Sequence, residues 1–518
     1  MNKPIRKIVI VGGGTAGWIT AGLLAARFPR RGEAGISISL VESPDHASIG
    51  VGEGTWPTMR TTLKQIGLSE TDFIRECEAA FKQGSTFRGW VDGTDAHSYL
   101  HPFTAPAGYG EDDLAPYWLE AGDGRTFAES VCFQSELCRH GLAPKQITTP
   151  EYAGAANYAY HLNAGRFAVV LRDHCVGKLG VTHVYDEIVG VQSDEAGDIV
   201  RLDTKSGQPL AADLFVDCSG FAALLIGQHF KTPFRSKKDV LFVDKAWATQ
   251  APYVREDEPI ASTTLSTAQS AGWIWDIGLS SRKGVGHVFA SDYITPDKAL
   301  EELTTYLAAR GHDTDALSFR LIGINPGYRE KFWVNNCVAV GLSGGFLEPL
   351  EASAIVMIEL AAKMIAENFP RDRDSMDRVA KTFNDAFLYR WERVIEFLKL
   401  HYALSRRSDT AFWRDNRKPE SLPDTLRENL AFWRRQPPSP QDFPQREEIF
   451  SAASYQYVLF GMGLRPDPGA PWLLGDQGLT DAQARFAEVR QRGEGLAGTL
   501  PANRDLLNRI AQYGLQTV

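Results

Sequence analysis

A chain of 518 residues, 43% hydrophobic and 23% charged, has the composition of a globular protein large enough for more than one module. Its 55 basic and 64 acidic side chains leave a formal charge of −9, which argues against phosphate backbones and anionic lipid as partners. No apolar run reaches the about 18 residues of a membrane span. The first residues read as lacking a cleavable leader, and the six cysteines show neither CxxC nor metal-ligand spacing. The expectation is a cytoplasmic protein with free thiols and no metal, membrane or nucleic-acid partner.

In chain order, Lys7 to Val11 is an apolar, β-branched run that ends in Gly12-Gly13-Gly14. Trp18 to Phe28 reads as a helix and Ile36 to Val41 as a second strand. Strand, glycine turn, helix and strand make a βαβ unit, which requires a parallel sheet. The segment Gly12 to Gly17 fits GxGxxG. Gly12, Gly14 and Gly17 would allow a tight turn and close backbone approach, while Thr15 and Ala16 open a helix whose N-terminus favours phosphate. Glu42 follows Gly17 by 25 residues, at the end of the second strand, where a carboxylate can hold ribose hydroxyls. The motif's position at the start of the chain, with the strand-like return Asp213 to Phe221, favours FAD over NAD.

Further strands are expected at Phe167–Leu171, Val181–Val191, Ile199–Thr204, Leu214–Val216 and Cys337–Gly341, with a helix from Ala354 to Phe369 ended by Pro370. Beyond Ala386, long helical patterns carry aromatics, and the Pro-rich stretch from Gln436 to Pro444 reads as a loop. The fold expected is α/β: an FAD-binding Rossmann-like module over residues 1–385, with a substrate-site segment inserted at about 90–150. A mainly helical module over 386–518 completes it.

Five further segments follow the glycine turn in order. They are Gly50-Val51-Gly52-Glu53-Gly54-Thr55-Trp56-Pro57, Phe81-Lys82, His101-Pro102-Phe103, Trp273-Ile274-Trp275-Asp276-Ile277 and Gly345-Phe346-Leu347-Glu348-Pro349-Leu350-Glu351. With these motifs the chain, over roughly residues 5 to 465, resembles the flavin-dependent tryptophan halogenase family. The resemblance implies a box-shaped FAD module related to flavin monooxygenases, under a helical pyramid. It also implies a two-component enzyme. Reduced FAD from a separate flavin reductase reacts with oxygen to a hydroperoxide, chloride or bromide attacks it, and hypohalous acid travels to a small indole-like aromatic.

The resemblance assigns roles residue by residue. Lys82 matches the catalytic lysine, which either hydrogen-bonds hypohalous acid or is halogenated to a haloamine. As bare sequence, Lys82 reads as a solvated charge on a helix around Glu76 to Lys82. Glu351 matches the glutamate that stabilises the ring cation and takes its proton. Ser353 and Ala354 offer helix-start N–H groups to a halide, and Leu350 lies against the flavin. Gly50, Val51, Gly52 and Glu53 belong to the strap between flavin and substrate sites. His101 and Phe103 match the aromatic platform for the indole, and Trp273 and Trp275 wall the path of the hypohalous acid.

Two departures bear on specificity. Gly278 stands where the tryptophan motif ends in proline, and Ala352-Ser353-Ala354 stands for Ser-Thr-Gly after the glutamate. The residues that grip the backbone of free tryptophan have no clear counterpart within Ile449 to Pro466, which leaves indole and larger indole derivatives open beside tryptophan. The rival reading is a flavin monooxygenase that hydroxylates an aromatic. A homodimer is also compatible with the chain.

Overall fold

The structure, a computed structural model, describes residues 4–29, 35–44, 52–94, 96–122, 124–445, 448–466 and 475–517. It divides into two compact units that interleave along the chain. The first comprises Met1–Ala79, Leu162–Lys237 and Asn325–Trp391; the second comprises Ala80–His161, Lys238–Ile324 and Glu392–Val518. The sequence reading has a module over 1–385, with a segment inserted at about 90–150, followed by a helical module over 386–518. The interleaving arises because strands far apart in sequence pair with one another, which local periodicity does not report.

The first unit is built on a six-stranded sheet. Its strand order is Trp333–Val334, Cys337–Ala339, Leu214–Asp217, Lys7–Val11, Ser37–Glu42, Thr182–Tyr185. The Lys7–Val11 strand is central and runs parallel to both neighbours, with Ile8 opposite Leu214 and Ile38. Buried on both faces, it needs the continuous apolar run that the sequence supplies. The helix Thr15–Arg27 buries Trp18, Ile19, Leu23 and Leu24 and packs on the helix Ser353–Glu367. No helix among the described residues is long and apolar enough to cross a membrane.

The second unit is built on a seven-stranded sheet. Its order is Arg320–Gly323, Lys245–Pro252, Arg282–Phe289, Gly272–Gly278, Thr264–Ala268, Gly84–Arg88, Tyr99–Pro102. The pairings are antiparallel except Thr264–Ala268 with Gly84–Arg88. Trp273 and Trp275 point to one face, with ring centroids 6.4 Å apart. A Cβ at Gly286 would lie 2.2 Å from the Trp275 ring, so this glycine makes room for that indole.

Three local expectations change. Phe167–Leu171 lies inside the helix Ala164–Gly177, because Phe167, Leu171 and Cys175 are buried at four-residue spacing while Asn163 caps the first turn through Arg166 N–H. The Val181–Val191 run is two strands, Thr182–Tyr185 in the parallel sheet and Ile188–Ser193 in an antiparallel pair with Ile199–Thr204. Lys82 is on a strand, Ala80–Lys82. The preceding helix stops at Glu76, and Glu78 turns the chain at φ 51°.

Candidate active site

The glycine turn is shaped by packing on one side and open on the other. Cβ atoms at Gly12 and Gly17 would lie 2.2 Å from the Cys218 carbonyl oxygen and 1.9 Å from the Gly12 carbonyl oxygen. A Cβ at Gly14 meets no protein atom within 4 Å. The helix Thr15–Arg27 starts there with no side-chain cap and no acidic residue in its first turn, so its N–H groups at Thr15 and Ala16 face an anion-compatible space. Glu42 leans over the turn, and its Oε2 lies 3.0 Å from His183 Nε2. A dinucleotide's pyrophosphate and ribose fit this cradle.

Among the strap residues, Gly50 and Val51 lie outside the described residues. Gly52 is buried on the strand Gly52–Gly54, and burial pushes the Glu53 carboxyl up to about 7. Trp56, at the strap's end, donates its indole N–H to the Glu351 carbonyl oxygen at 2.7 Å. Glu351 is 7% exposed and sits with buried Leu350 in a single turn ahead of the helix Ser353–Glu367. Both Glu351 (φ 60°) and Ala352 (φ 55°) are left-handed, a conformation that costs a non-glycine residue about 1–2 kcal/mol. Backbone strain of this kind collects where a side chain must be aimed. Ser353 and Ala354 begin the helix with no side-chain cap and no acid in the first turn, leaving N–H donors for an anion. They line an apolar cavity with Gly341, Leu347, Met357 and Trp391. Farther along the helix, buried Glu359 accepts hydrogen bonds from Thr58 Oγ1 at 3.1 Å and from Thr62 Oγ1, and burial pushes its carboxyl up to about 7.

Lys82 lies in the second unit and is 1% exposed. Its Nζ stands 5.3 Å from the Phe103 ring centroid. Backbone and amide bonds fix this approach. Phe103 N–H donates to the Gln83 carbonyl at 3.0 Å. Gln134 Nε2 donates to Gln83 Oε1 at 3.0 Å and to the Asn157 carbonyl at 2.6 Å, and Asn157 Nδ2 donates to the Phe103 carbonyl at 2.9 Å. Asn503 Nδ2 anchors the Phe81 carbonyl at 3.0 Å. Buried hydrogen-bond networks of this type rigidify their members. Nothing in the sequence periodicity marked Gln83, Gln134, Asn157 or Asn503.

His101 is buried on the strand Tyr99–Pro102, with its ring centroid 5.7 Å from Phe397 and 6.1 Å from Tyr457. Phe397 stacks on Phe450 at 3.8 Å, and Tyr457 Oη donates to the Thr104 carbonyl at 2.9 Å. The helix Ala452–Gly461, in the segment where the sequence left the substrate grip unmatched, thus brings Tyr455 and Tyr457 to an aromatic cluster around His101. Lys82 and Phe103 come together in the second unit, which also holds His101; Gly12, Gly14, Gly17, Glu42 and Glu351 belong to the first.

Comparison with known proteins identifies the family. The family model described as tryptophan halogenase matches residues 7–475. The chain is 34% identical to the tryptophan 6-halogenase SttH of Streptomyces toxytricini, covering 98% of both chains. It is 32% identical to the tryptophan 7-halogenase RebH of Lentzea aerocolonigenes, covering 99% of this chain and all of that one. A crystal structure of a tryptophan halogenase from Shewanella frigidimarina superposes with a TM-score of 0.96 at 48% identity, covering 100% of this chain and 99% of that one. The hydroxylase alternative gains nothing from these likenesses. The chain belongs to the tryptophan halogenase family of flavin-dependent enzymes.

Proposed function

We propose that this enzyme halogenates an indole-like aromatic (indole, tryptophan or a derivative) with Lys82 as the halogen-transferring residue. One observation carries the reading: a fully buried lysine amine held over an aromatic face. A solvated structural lysine needs neither the burial nor the network that fixes Phe103 beside it.

The cradle at Gly12, Gly14, Gly17, Thr15, Ala16 and Glu42 would hold FAD, with Gly50 to Glu53 and Leu350 along it. When bound in reduced form, delivered by a separate reductase, FAD supplies hypohalous acid from oxygen and halide. The N–H groups at Ser353 and Ala354 would hold the chloride or bromide before that reaction. Lys82 then binds the hypohalous acid through an N–H, or takes the halogen onto its nitrogen with release of water. Either form presents an electrophilic halogen, and burial keeps competing water away from it. The ring carbon attacks the halogen, a C–X bond forms, and the O–X or N–X bond breaks. Glu351 balances the resulting ring cation and accepts the proton that restores aromaticity. His101 and Phe103 hold the flat ring.

The test is a panel of indoles and tryptophans incubated with a flavin reductase, FAD and bromide or chloride, read by mass spectrometry. A halogen mass shift is expected. Hydroxylated products in place of halogenated ones would overturn the reading.

A further inference from the structure

The strand pairing places a second titratable side chain beside Lys82. Ala80 lies opposite His161, Phe81 opposite Tyr160, and Lys82 opposite Ala159. Side chains alternate along each strand, so Lys82 and His161 share one face as diagonal neighbours, about 7–8 Å apart at the backbone. Phe81 and Tyr160 occupy the other face, with ring centroids 6.2 Å apart. His161 is 0% exposed. Its Nε2 lies 2.8 Å from Thr264 Oγ1, while its buried Nδ1 has no hydrogen-bond partner. An imidazole nitrogen left without a partner in a buried site costs free energy that a structural role does not return.

We propose that His161 is a positioning residue for Lys82: Nε2–H donates to Thr264, which leaves the Nδ1 lone pair to accept an N–H of Lys82 during halogen transfer. That bond fixes the rotation of the amine, so that a second N–H, or the nitrogen lone pair, faces the incoming hypohalous acid. The imidazole must stay neutral to accept. Burial holds its pKa well below the ordinary histidine value, and the nearby Lys82 charge lowers it further. A charged imidazolium here would repel the ammonium. The proposal rests on Lys82 being the halogen-transferring residue.

Two amide variants separate the two ring nitrogens. Glutamine reaches the Nε2 position and keeps the Thr264 contact, whereas asparagine places its oxygen at the Nδ1 position. The readout is coupling, the substrate halogenated per flavin oxidised, with leaked hypohalous acid captured by a diffusible trap. His161→Gln is expected to lower coupling about tenfold or more, with FAD affinity unchanged and the missing halogen recovered in the trap. His161→Asn is expected to restore most of the coupling. Wild-type coupling in His161→Gln would overturn the proposal, as would equal loss in both variants, which marks a packing role alone. Should neither variant fold, ¹⁵N-histidine spectra of the wild type and of Lys82→Ala decide. The His161 Nδ1 signal is expected to be that of an unprotonated nitrogen and to move in Lys82→Ala; an unmoved signal overturns the proposal. If Lys82→Ala itself halogenates normally, the proposed role of Lys82 fails, and that outcome is distinct from failure at His161.

Discussion

Trp56 holds the backbone of Glu351: its indole N–H meets the Glu351 carbonyl at 2.7 Å while that residue sits at φ 60°. One end of the strap is thereby fastened to the left-handed turn that aims the carboxylate. Trp56→Phe keeps the ring but strands a buried carbonyl, at a cost of about 1–3 kcal/mol. Halogenation should fall about tenfold with FAD affinity nearly unchanged. Denaturant melts and flavin titration separate the two effects, and an unaltered halogenation rate would remove Trp56 from the aiming of Glu351.

Ala352 follows Glu351 in the same strained region, at φ 55°. Glycine adopts that conformation without Cβ crowding, so Ala352→Gly should stabilise the fold by up to about 1 kcal/mol. The same change loosens the aim of Glu351 and should lower the halogenation rate. Chemical denaturation with matched rate measurements checks both directions. A variant that is both less stable and equally active would contradict this account of the turn.

Gly14 differs from Gly12 and Gly17 because a Cβ there meets no protein atom within 4 Å. Gly14→Val should therefore fold with nearly wild-type stability and lose FAD affinity by at least about tenfold, since the space is where a pyrophosphate approaches the backbone. Gly17→Ala should destabilise the protein itself, with its Cβ 1.9 Å from the Gly12 carbonyl oxygen. Flavin binding by Gly14→Val at wild-type affinity would move the phosphate site elsewhere.

The contrast between these glycines shows what the sequence made legible. Lys7 to Val11, the glycine turn and Ser37 to Glu42 were readable because a buried parallel strand and a dinucleotide turn each impose a local pattern. Lys82 was misplaced on a helix, since a three-residue strand has too few positions to show alternation and its partner lies at Ala159–Asn163, far along the chain. The aromatic cluster on the helix Ala452–Gly461 was hidden for a related reason. A helix buried nearly all round, with Tyr455, Tyr457, Val458, Leu459 and Phe460 inside, has no amphipathic stripe to read. His161 carried no motif at all. Only the strand register puts it beside Lys82.

Glu359 gives the stability a pH dependence with a defined sign. Burial raises its carboxyl from 4.5 to about 7 in the folded protein, although Thr58 and Thr62 partly oppose the shift. A raised carboxyl favours the protonated fold, so its contribution is fully present below pH 4.5 and is lost as pH rises through about 7. Glu359→Gln keeps a neutral, hydrogen-bonding side chain. It should match the wild type near pH 4.5 and exceed it at pH 8 by something on the order of 2–3 kcal/mol. Glu53, raised in the same way, remains in the variant and preserves part of the slope. Melts across pH 4.5 to 8 test the sign: a variant less stable than the wild type at pH 8 would mean that Glu359 is ionised and welcome there.

Lys82 and Glu351 carry the last prediction. Lys82→Ala removes the only group proposed to present the halogen to the ring, yet touches none of the residues proposed to hold FAD. FAD affinity and flavin oxidation should stay at wild-type values while halogenation disappears. Hypohalous acid should still form and be recovered by a diffusible trap in proportion to the oxygen consumed. Glu351→Gln keeps the shape of the carboxylate and removes its charge and its basicity, so halogenation should slow by about 10²-fold or more with flavin oxidation preserved. Because both side chains are assigned to one transition state, the double variant should be no slower than Lys82→Ala alone. Halogenation of the native substrate by Lys82→Ala, at the normal rate and ring position, would show that the halogen reaches the substrate without Lys82. The buried amine over Phe103 would then need another explanation.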